Sequence, residues 1–324
     1  MRARATVAVV PGLVSLLLSA CSPSIESVTI VPGSDVNVVA VEARIDESSL
    51  GTMDPPRLEV AALPNATPAF VDAGTLAEGG GNLFRRDELP MPLGQFRARV
   101  TVPYRVVFSS AVRTVTRTVD FSITAPEGCF LFDIAGTGTG GWTSDGFFEI
   151  VGAQRRNLCA GQTPLIASAG SNFPADFSSP LGSAFDSLMM PLNQPCFTNP
   201  PANMQTSFVV ADFVSPDLSA VPGWSATSGF ELQAQSQGFV PPDAADQVRL
   251  QLIATTTTGE TFADVDAGGN FVFHPLTGAW QALSMTRGGL EIARVRARVF
   301  VPRTIGPVLP ESRIAIDRVC ARPQ

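Results

Sequence analysis

"GQFRARVTVPYRVVF", residues 94–108, fixes the structural class of this chain. Phe96, Ala98, Val100 and Val102 occupy every second position, and Arg97, Arg99 and Thr101 lie between them. Successive side chains of a β-strand point to opposite faces, so the spacing predicts a strand with one buried face and one wet face. The alternation recurs on either side. In "VVAVEARI" (38–45), Val39, Val41, Ala43 and Ile45 share one face, with Glu42 and Arg44 opposite. In "VRTVTRTVDFSI" (112–123), Val115, Val119, Phe121 and Ile123 point inward, and Thr, Asp and Ser point outward. "SVTIVP" (27–32) opens this region, and the turn-rich stretches "TMDPPR" and "AEGGGN" punctuate it.

Roughly seven short strands over about 100 residues predict an immunoglobulin-like β-sandwich across residues 27–125, although the cysteine pair of that fold is missing. "TAPEGC" (124–129) marks the boundary, because Pro126 and Gly128 break the strand before a new apolar run begins. Residues 126–324 form a second region. Its early part, 160–206, is rich in Ser, Pro, Asn and Gly and reads as irregular. Strands return with "FVVADF" (208–213), "FELQAQ" (230–235) and "VRLQLIA" (248–254), then "NFVFH", "AWQALSM", "LEIARVRARVFV" and "RIAIDRVC". About eight strands are enough for two packed sheets, so the whole chain is expected to be all-β. "RARVTVP" (97–103) and "RARVFVP" (296–302) are nearly identical, but their flanks differ, and two similar strands explain the match without duplication.

Composition excludes several chemistries. The 324 residues carry 22 basic side chains, all arginine, against 29 acidic ones, for a net charge of −7. This is not the basic footprint of a nucleic-acid binder. Without lysine, the glycine-rich "GTGTGG" (136–141) is not a P-loop, and no pyridoxal Schiff base can form. His274 is the only histidine, so no histidine cluster can hold zinc or iron. A lone histidine before Pro275, with no nucleophile motif pointing to it, does not suggest catalysis.

The first twenty residues read as a leader. Arg2 and Arg4 precede the mostly apolar stretch Ala5–Leu18, which Pro11, Gly12 and Ser15 interrupt. It is too short to cross a bilayer, for which about 20 apolar residues are needed. Leu18, Ser19, Ala20 and Cys21 then resemble a bacterial lipobox. The resemblance implies cleavage before Cys21 and acylation of its sulfur, which would hold the protein on a membrane without a transmembrane helix. Ser22, rather than an aspartate, favours the outer membrane over the inner. On this reading residues 1–20 are signal peptide and 21–26 a tether. Of the five cysteines, Cys129, Cys159, Cys196 and Cys320 then remain. An even number in an oxidising compartment predicts two disulfides, with three connectivities open.

"CFLFDIAGTGTGGWTSDGFFEI" (129–150) opens the second region and "RIAIDRVC" (313–320) closes it. Phe130, Phe132 and Asp133 followed by Gly141 and Trp142, together with Ile316, Asp317, Arg318 and Val319, resemble carbohydrate-binding-module-like jelly rolls of the galactose-binding type. Arg318 and the irregular insert from Ala160 to Gln205 depart from that pattern. In such folds the first and last strands are neighbours, which implies pairing Cys129 with Cys320 and Cys159 with Cys196. The resemblance also implies a structural Ca2+ held by Asp133 and Asp317. It further implies a ligand face on which sugar rings stack against aromatics, with Trp142, Trp224, Trp280 and Tyr104 as candidates. Gln233, Gln235 and Gln251 would then supply planar hydrogen bonds. Arg294, Arg296 and Arg298 share one strand face; they make either an anion-binding stripe or a solvated face paired with acids across the sheet.

The expectation is therefore a non-catalytic cell-envelope lipoprotein presenting a β-sandwich that binds glycans. A structural or assembly lipoprotein that binds another envelope protein is the first alternative. A glycoside hydrolase using paired carboxylates is the second.

Overall fold

The computed structural model describes residues 22–33, 37–47, 51–64, 67–106, 110–132, 139–159, 161–170, 186–224, 227–238, 247–289, 291–303 and 312–323. They are almost entirely β and form two compact units, the first ending at Thr124 and the second beginning at Ala125.

The first unit contains β1 (Ser24–Pro32), β2 (Val38–Asp46), β3 (Gly51–Met53), β4 (Arg57–Leu63), β5 (Val71–Thr75), β6 (Ala77–Gly80), β7 (Leu83–Pro90), β8 (Gly94–Val106) and β9 (Arg113–Ile123). One sheet runs β1-β2-β7-β6. The other runs β5-β4-β8-β9, with β3 continuing along the edge of β8 that β4 occupies. This is the strand order of an immunoglobulin-like sandwich, four strands facing a sheet built on the central pair β4 and β8. The alternation that identified the strands also fills the core. Val41, Ala43 and Ile45 from β2, and Ala98, Val100 and Val102 from β8, are fully buried in one cluster with Leu58 and Val60 of β4. β1 starts at Ser24, inside the segment expected to be a tether. The reason is local: Ile25 packs into the core, and the Arg117 guanidinium of β9 donates to its carbonyl at 2.7 Å.

The second unit begins with β10 (Cys129–Leu131), β11 (Thr143–Ser144), β12 (Phe148–Val151), β13 (Gln154–Asn157), β14 (Ala167–Gly170) and β15 (Asp186–Pro191). A short helix, α1 (Pro195–Thr198), precedes β16 (Phe208–Val214), β17 (Thr227–Gln237), β18 (Arg249–Thr256), β19 (Thr261–Ala263) and β20 (His274–Pro275). β21 (Gln281–Thr286), β22 (Ile292–Pro302) and β23 (Arg313–Pro323) complete it. The pairing is nested: β15 with β23, β16 with β22, β17 with β21, β18 with β19. β23–β17 and β22–β18 then join these pairs into two sheets, which is the wrapping of a jelly roll. Leu188, Met190, Phe230, Leu232 and Ile316 from one sheet meet Val209, Phe213, Leu250, Ala297 and Val299 from the other in a single buried cluster.

The segment read as irregular, 160–206, holds two strands and a helix. β15 supplies the edge on which β23 pairs, from Leu188 opposite Ile316 to Pro191 opposite Arg313. β10 pairs farther along the same strand, with Cys129 directly opposite Cys320, and a disulfide joins them. A second disulfide joins Cys159 to Cys196. Gly128 and Gly223, both at positive φ, let two chains approach here. A Cβ on Gly223 would lie 2.8 Å from the Gly128 nitrogen, which donates to the Pro222 carbonyl at 2.6 Å.

Candidate functional site

The sheet β13-β12-β16-β22-β18-β19 turns one face to the core and the other away from it. Val209, Ala211 and Phe213 of β16, Val295, Ala297 and Val299 of β22, and Leu250, Leu252 and Ala254 of β18 point into the core. The intervening residues form the outer face. The register sets them in rows. Asp212 lies opposite Arg298, and Arg298 opposite Gln251. In the next row Val210 lies opposite Phe300 and Phe300 opposite Arg249, while Phe148 of β12 sits beside Val210 and Asn157 of β13 beside Phe148.

A chain of charges crosses this face. Asp212, 0% exposed, accepts from Arg296 at 2.8 Å and from Arg298 at 2.9 and 3.2 Å. Arg296 also reaches Asp145 at 3.5 Å, and Asp145 accepts from Arg155 at 2.8 Å. The Arg155 guanidinium lies 3.8 Å from the centre of the Phe148 ring and that of Arg298 lies 5.1 Å from it, so the buried ring closes the circuit. The hydrogen bond from Arg155 is the main cause that holds the Asp145 carboxyl below its ordinary value, and the same bond raises Arg155. Thus Arg296 and Arg298 are paired across the sheet and do not make an open anion stripe, whereas Arg294 is exposed.

The edge of this sheet is built on a second buried carboxylate. Glu149, 0% exposed, accepts from the backbone N–H groups of Gln205 at 2.8 Å and Thr206 at 3.1 Å, and pairs with Arg156. Burial pushes its carboxyl up, but the two N–H groups and Arg156 outweigh that and leave it below the ordinary value. Next to this edge, Asp145, Phe147, Arg155, Asn157 and Gln162 line a cavity of about 710 Å3, with Cys159 of the second disulfide in its wall. That volume suits a small-molecule or oligomeric ligand.

Across the same face, aromatic rings form a row. Phe208 and Phe300 are 6.2 Å apart, and Phe300 meets Phe273 edge-on at 5.0 Å. Phe273 is 41% exposed and Phe271, two positions earlier, 62% exposed. Sequence reasoning missed both. Their signal was the aromatic alternation of "NFVFH" after the "DAGGN" turn, in which Asp266 accepts from the backbone of Gly268 and Asn270.

Two of the three tryptophans expected on the ligand face lie in the core instead. Trp142, 2% exposed, packs against Phe130 and Phe132 in the core. Trp224, 1% exposed, donates its indole N–H to the Ile292 carbonyl at 2.7 Å. Neither ring is available for stacking, because each fills the volume between the sheets. Trp280 is half-buried ahead of β21, and Tyr104 is buried at the end of β8 in the first unit. Gln235 and Gln251 are buried, while Gln233 is half-buried. His274 sits 3.2 Å from Asp264. Asp317 is buried where β23 shifts register against β17, but its expected partner Asp133 lies outside the described residues, as does Cys21. Among the described residues no group of three or more His, Cys, Asp or Glu side chains is gathered for a metal.

No family model matches the chain, and no curated protein matches it. Among solved structures, a chain described under carbohydrate-binding modules of the β-sandwich superfamily aligns at 10% identity and a TM-score of 0.34, over 91% of this chain and 96% of that one. The xylan-binding CBM22-1 domain of Xyn10C from Paenibacillus barcinonensis aligns at 12% identity and a TM-score of 0.28, over 62% and 99%. The secreted serine protease VesC from Vibrio cholerae aligns at 9% identity and a TM-score of 0.24, over 92% and 51%. Likenesses this loose carry no argument about ligand or activity, and the fold described above rests on its own strand pairings.

Proposed function

We propose that this is a non-catalytic, lipid-anchored cell-envelope protein whose second sandwich binds glycans across the outer face of the β13-β12-β16-β22-β18-β19 sheet. The observation that carries the reading is the combination of exposed Phe271 and Phe273 with a cavity of mixed polar and apolar lining on the same sheet. A sugar offers an apolar C–H face and a rim of hydroxyls. Exposed rings suit the first, and the carboxylate, guanidinium and amides of Asp145, Arg155, Asn157 and Gln162 suit the second.

The electrostatics beside the cavity suit ligand contact. A glycosidase acid needs a raised carboxyl value to hold its proton near neutrality. Beside the cavity, Asp145 and Glu149 are both held below their ordinary values by hydrogen bonds and arginines, which disfavours either of them as that acid. The lipid anchor rests on the Leu18–Cys21 sequence. Replacing Cys21 by Ala should move the protein out of the membrane fraction and abolish palmitate labelling.

Pull-down of the full chain on a panel of insoluble polysaccharides tests the binding reading. We expect retention on at least one, reduced about tenfold or more by Phe273→Ala and by Arg155→Ala, with thermal melting of the Phe273 variant unchanged. Retention on none, or equal retention by both variants, would remove the glycan-binding reading.

A further inference from the structure

The first unit carries a groove of about 610 Å3 on the outer face of its β5-β4-β8-β9 sheet. Asp54, Arg57, Arg105, Thr75, Thr101 and Thr114 are its polar lining residues. Pro55, Pro103 and Val112 line it too, with Val112 52% exposed, and most of the groove's exposed surface is apolar. Register explains the assembly. Arg57 lies opposite both Thr75 and Thr101, and Pro103 lies opposite Thr114. The turn between β3 and β4 is fastened over it, since the Asp54 N–H donates to the Pro103 carbonyl and the Leu76 N–H to the Pro56 carbonyl, both at 2.9 Å.

Arg57 is the unusual member. Other arginines on this face pair with acids: Arg97 with Asp120 at 2.6 Å, Arg99 with Glu59 at 2.8 Å, Arg105 with Asp54 at 3.2 Å. Arg57 is exposed, and its guanidinium makes no ion pair or hydrogen bond among the described residues. The groove thus holds two guanidiniums against one carboxylate. We propose that it is a second binding site, for an acidic saccharide: a sugar ring bearing a carboxylate, such as a uronic acid. The guanidinium fork of Arg57 takes the carboxylate through two parallel N–H donors. The threonine hydroxyls, which both donate and accept, meet the sugar hydroxyls. The ring's C–H face rests on Pro103 and Val112. Prolines and β-branched threonines move little, so the walls are ordered before the ligand arrives.

Calorimetric titration of the full chain in a Phe271→Ala/Phe273→Ala background, which disables the glycan face proposed for the second unit, tests this site alone. The probes are trigalacturonate, the neutral xylotriose and inorganic phosphate. Trigalacturonate is expected to bind, more weakly as salt rises, and at least about tenfold tighter than xylotriose. Arg57→Ala should cost at least about tenfold in affinity without shifting thermal melting, and Arg57→Lys should restore only part of it because the fork is lost. The proposal is overturned if trigalacturonate does not bind at millimolar concentration, if Arg57→Ala binds it as well, or if inorganic phosphate displaces it at equal concentration.

Discussion

Asp212 is a carboxylate with no access to water, on the side of a sheet that faces away from the core. Taking it out of solvent is offset chiefly by Arg296 and Arg298, whose own side chains are 28% and 17% exposed. Truncating Arg298 to Ala would leave a buried charge half-compensated. We expect a loss of about 3 kcal/mol in urea unfolding, with little change from Arg294→Ala on the same strand. Asp145 adds a pH dependence. Its folded value lies below the unfolded one, first because of the hydrogen bond from Arg155. Its contribution is therefore present above the unfolded value of about 3.9 and is lost as pH falls through the folded value. Glu149 acts in the same sense. Melting temperature should fall steeply below about pH 4, and Arg155→Ala should flatten that fall. The arginine stripe was legible in the sequence, and its pairing with acids was one of two readings left open there. Trp142 and Trp224 were not legible as core, because both lie just outside strands and the sequence around a large ring reads the same whether its side is filled or wet. "NFVFH" concealed its exposed phenylalanines for the same reason: alternation tells which residues share a face, and with Val272 apolar as well, nothing in it tells which face meets solvent.

Strands differ in how plainly they announce themselves. β2, β8, β17 and β22 alternate because one side of each is core and the other is polar. β15 does not. Ser187, Leu188, Met189 and Met190 are all buried, so "DSLMMP" carries no period-2 signal and reads as irregular. Yet β15 is the strand on which β23 closes the jelly roll. β10 sits on that same edge of β23 and is clamped by the Cys129–Cys320 disulfide, which spans 191 positions. Closing so long a loop restricts the unfolded chain, and the Cys129→Ser/Cys320→Ser double variant should lose about 3–5 kcal/mol of stability by chemical denaturation. Unchanged stability would mean that the Gly128–Ala321 and Phe130–Val319 pairing alone holds this corner.

The chain as two sandwiches follows from a simple physical fact: half-buried strands must pack in layers around one core each. The first unit pairs strands in the immunoglobulin-like order without the usual cysteines, and its fully buried Val, Ala, Ile and Leu take their place. The second pairs its earliest strands with its latest, so its sheets exist only once distant segments have met. These pairings were foreshadowed by the two ends of that region, "CFLFDI" and "RIAIDRVC", but the outer face was not. It arises where β12, β13, β16, β18, β20 and β22 come side by side, and no local stretch contains more than a fragment of it. From Asn157 to Arg249 the row crosses five strands, about 19 Å at ordinary strand spacing, room for several linked sugar rings.

Hydrogen–deuterium exchange of the full chain, with and without the polysaccharide it retains most strongly, locates that contact directly. If glycans lie on this face, exchange slows in β12, β13 and residues 271–275 and stays unchanged in β14, β15 and β21 of the opposite sheet. Protection confined to that opposite sheet, or none anywhere in the second unit, would refute the assignment.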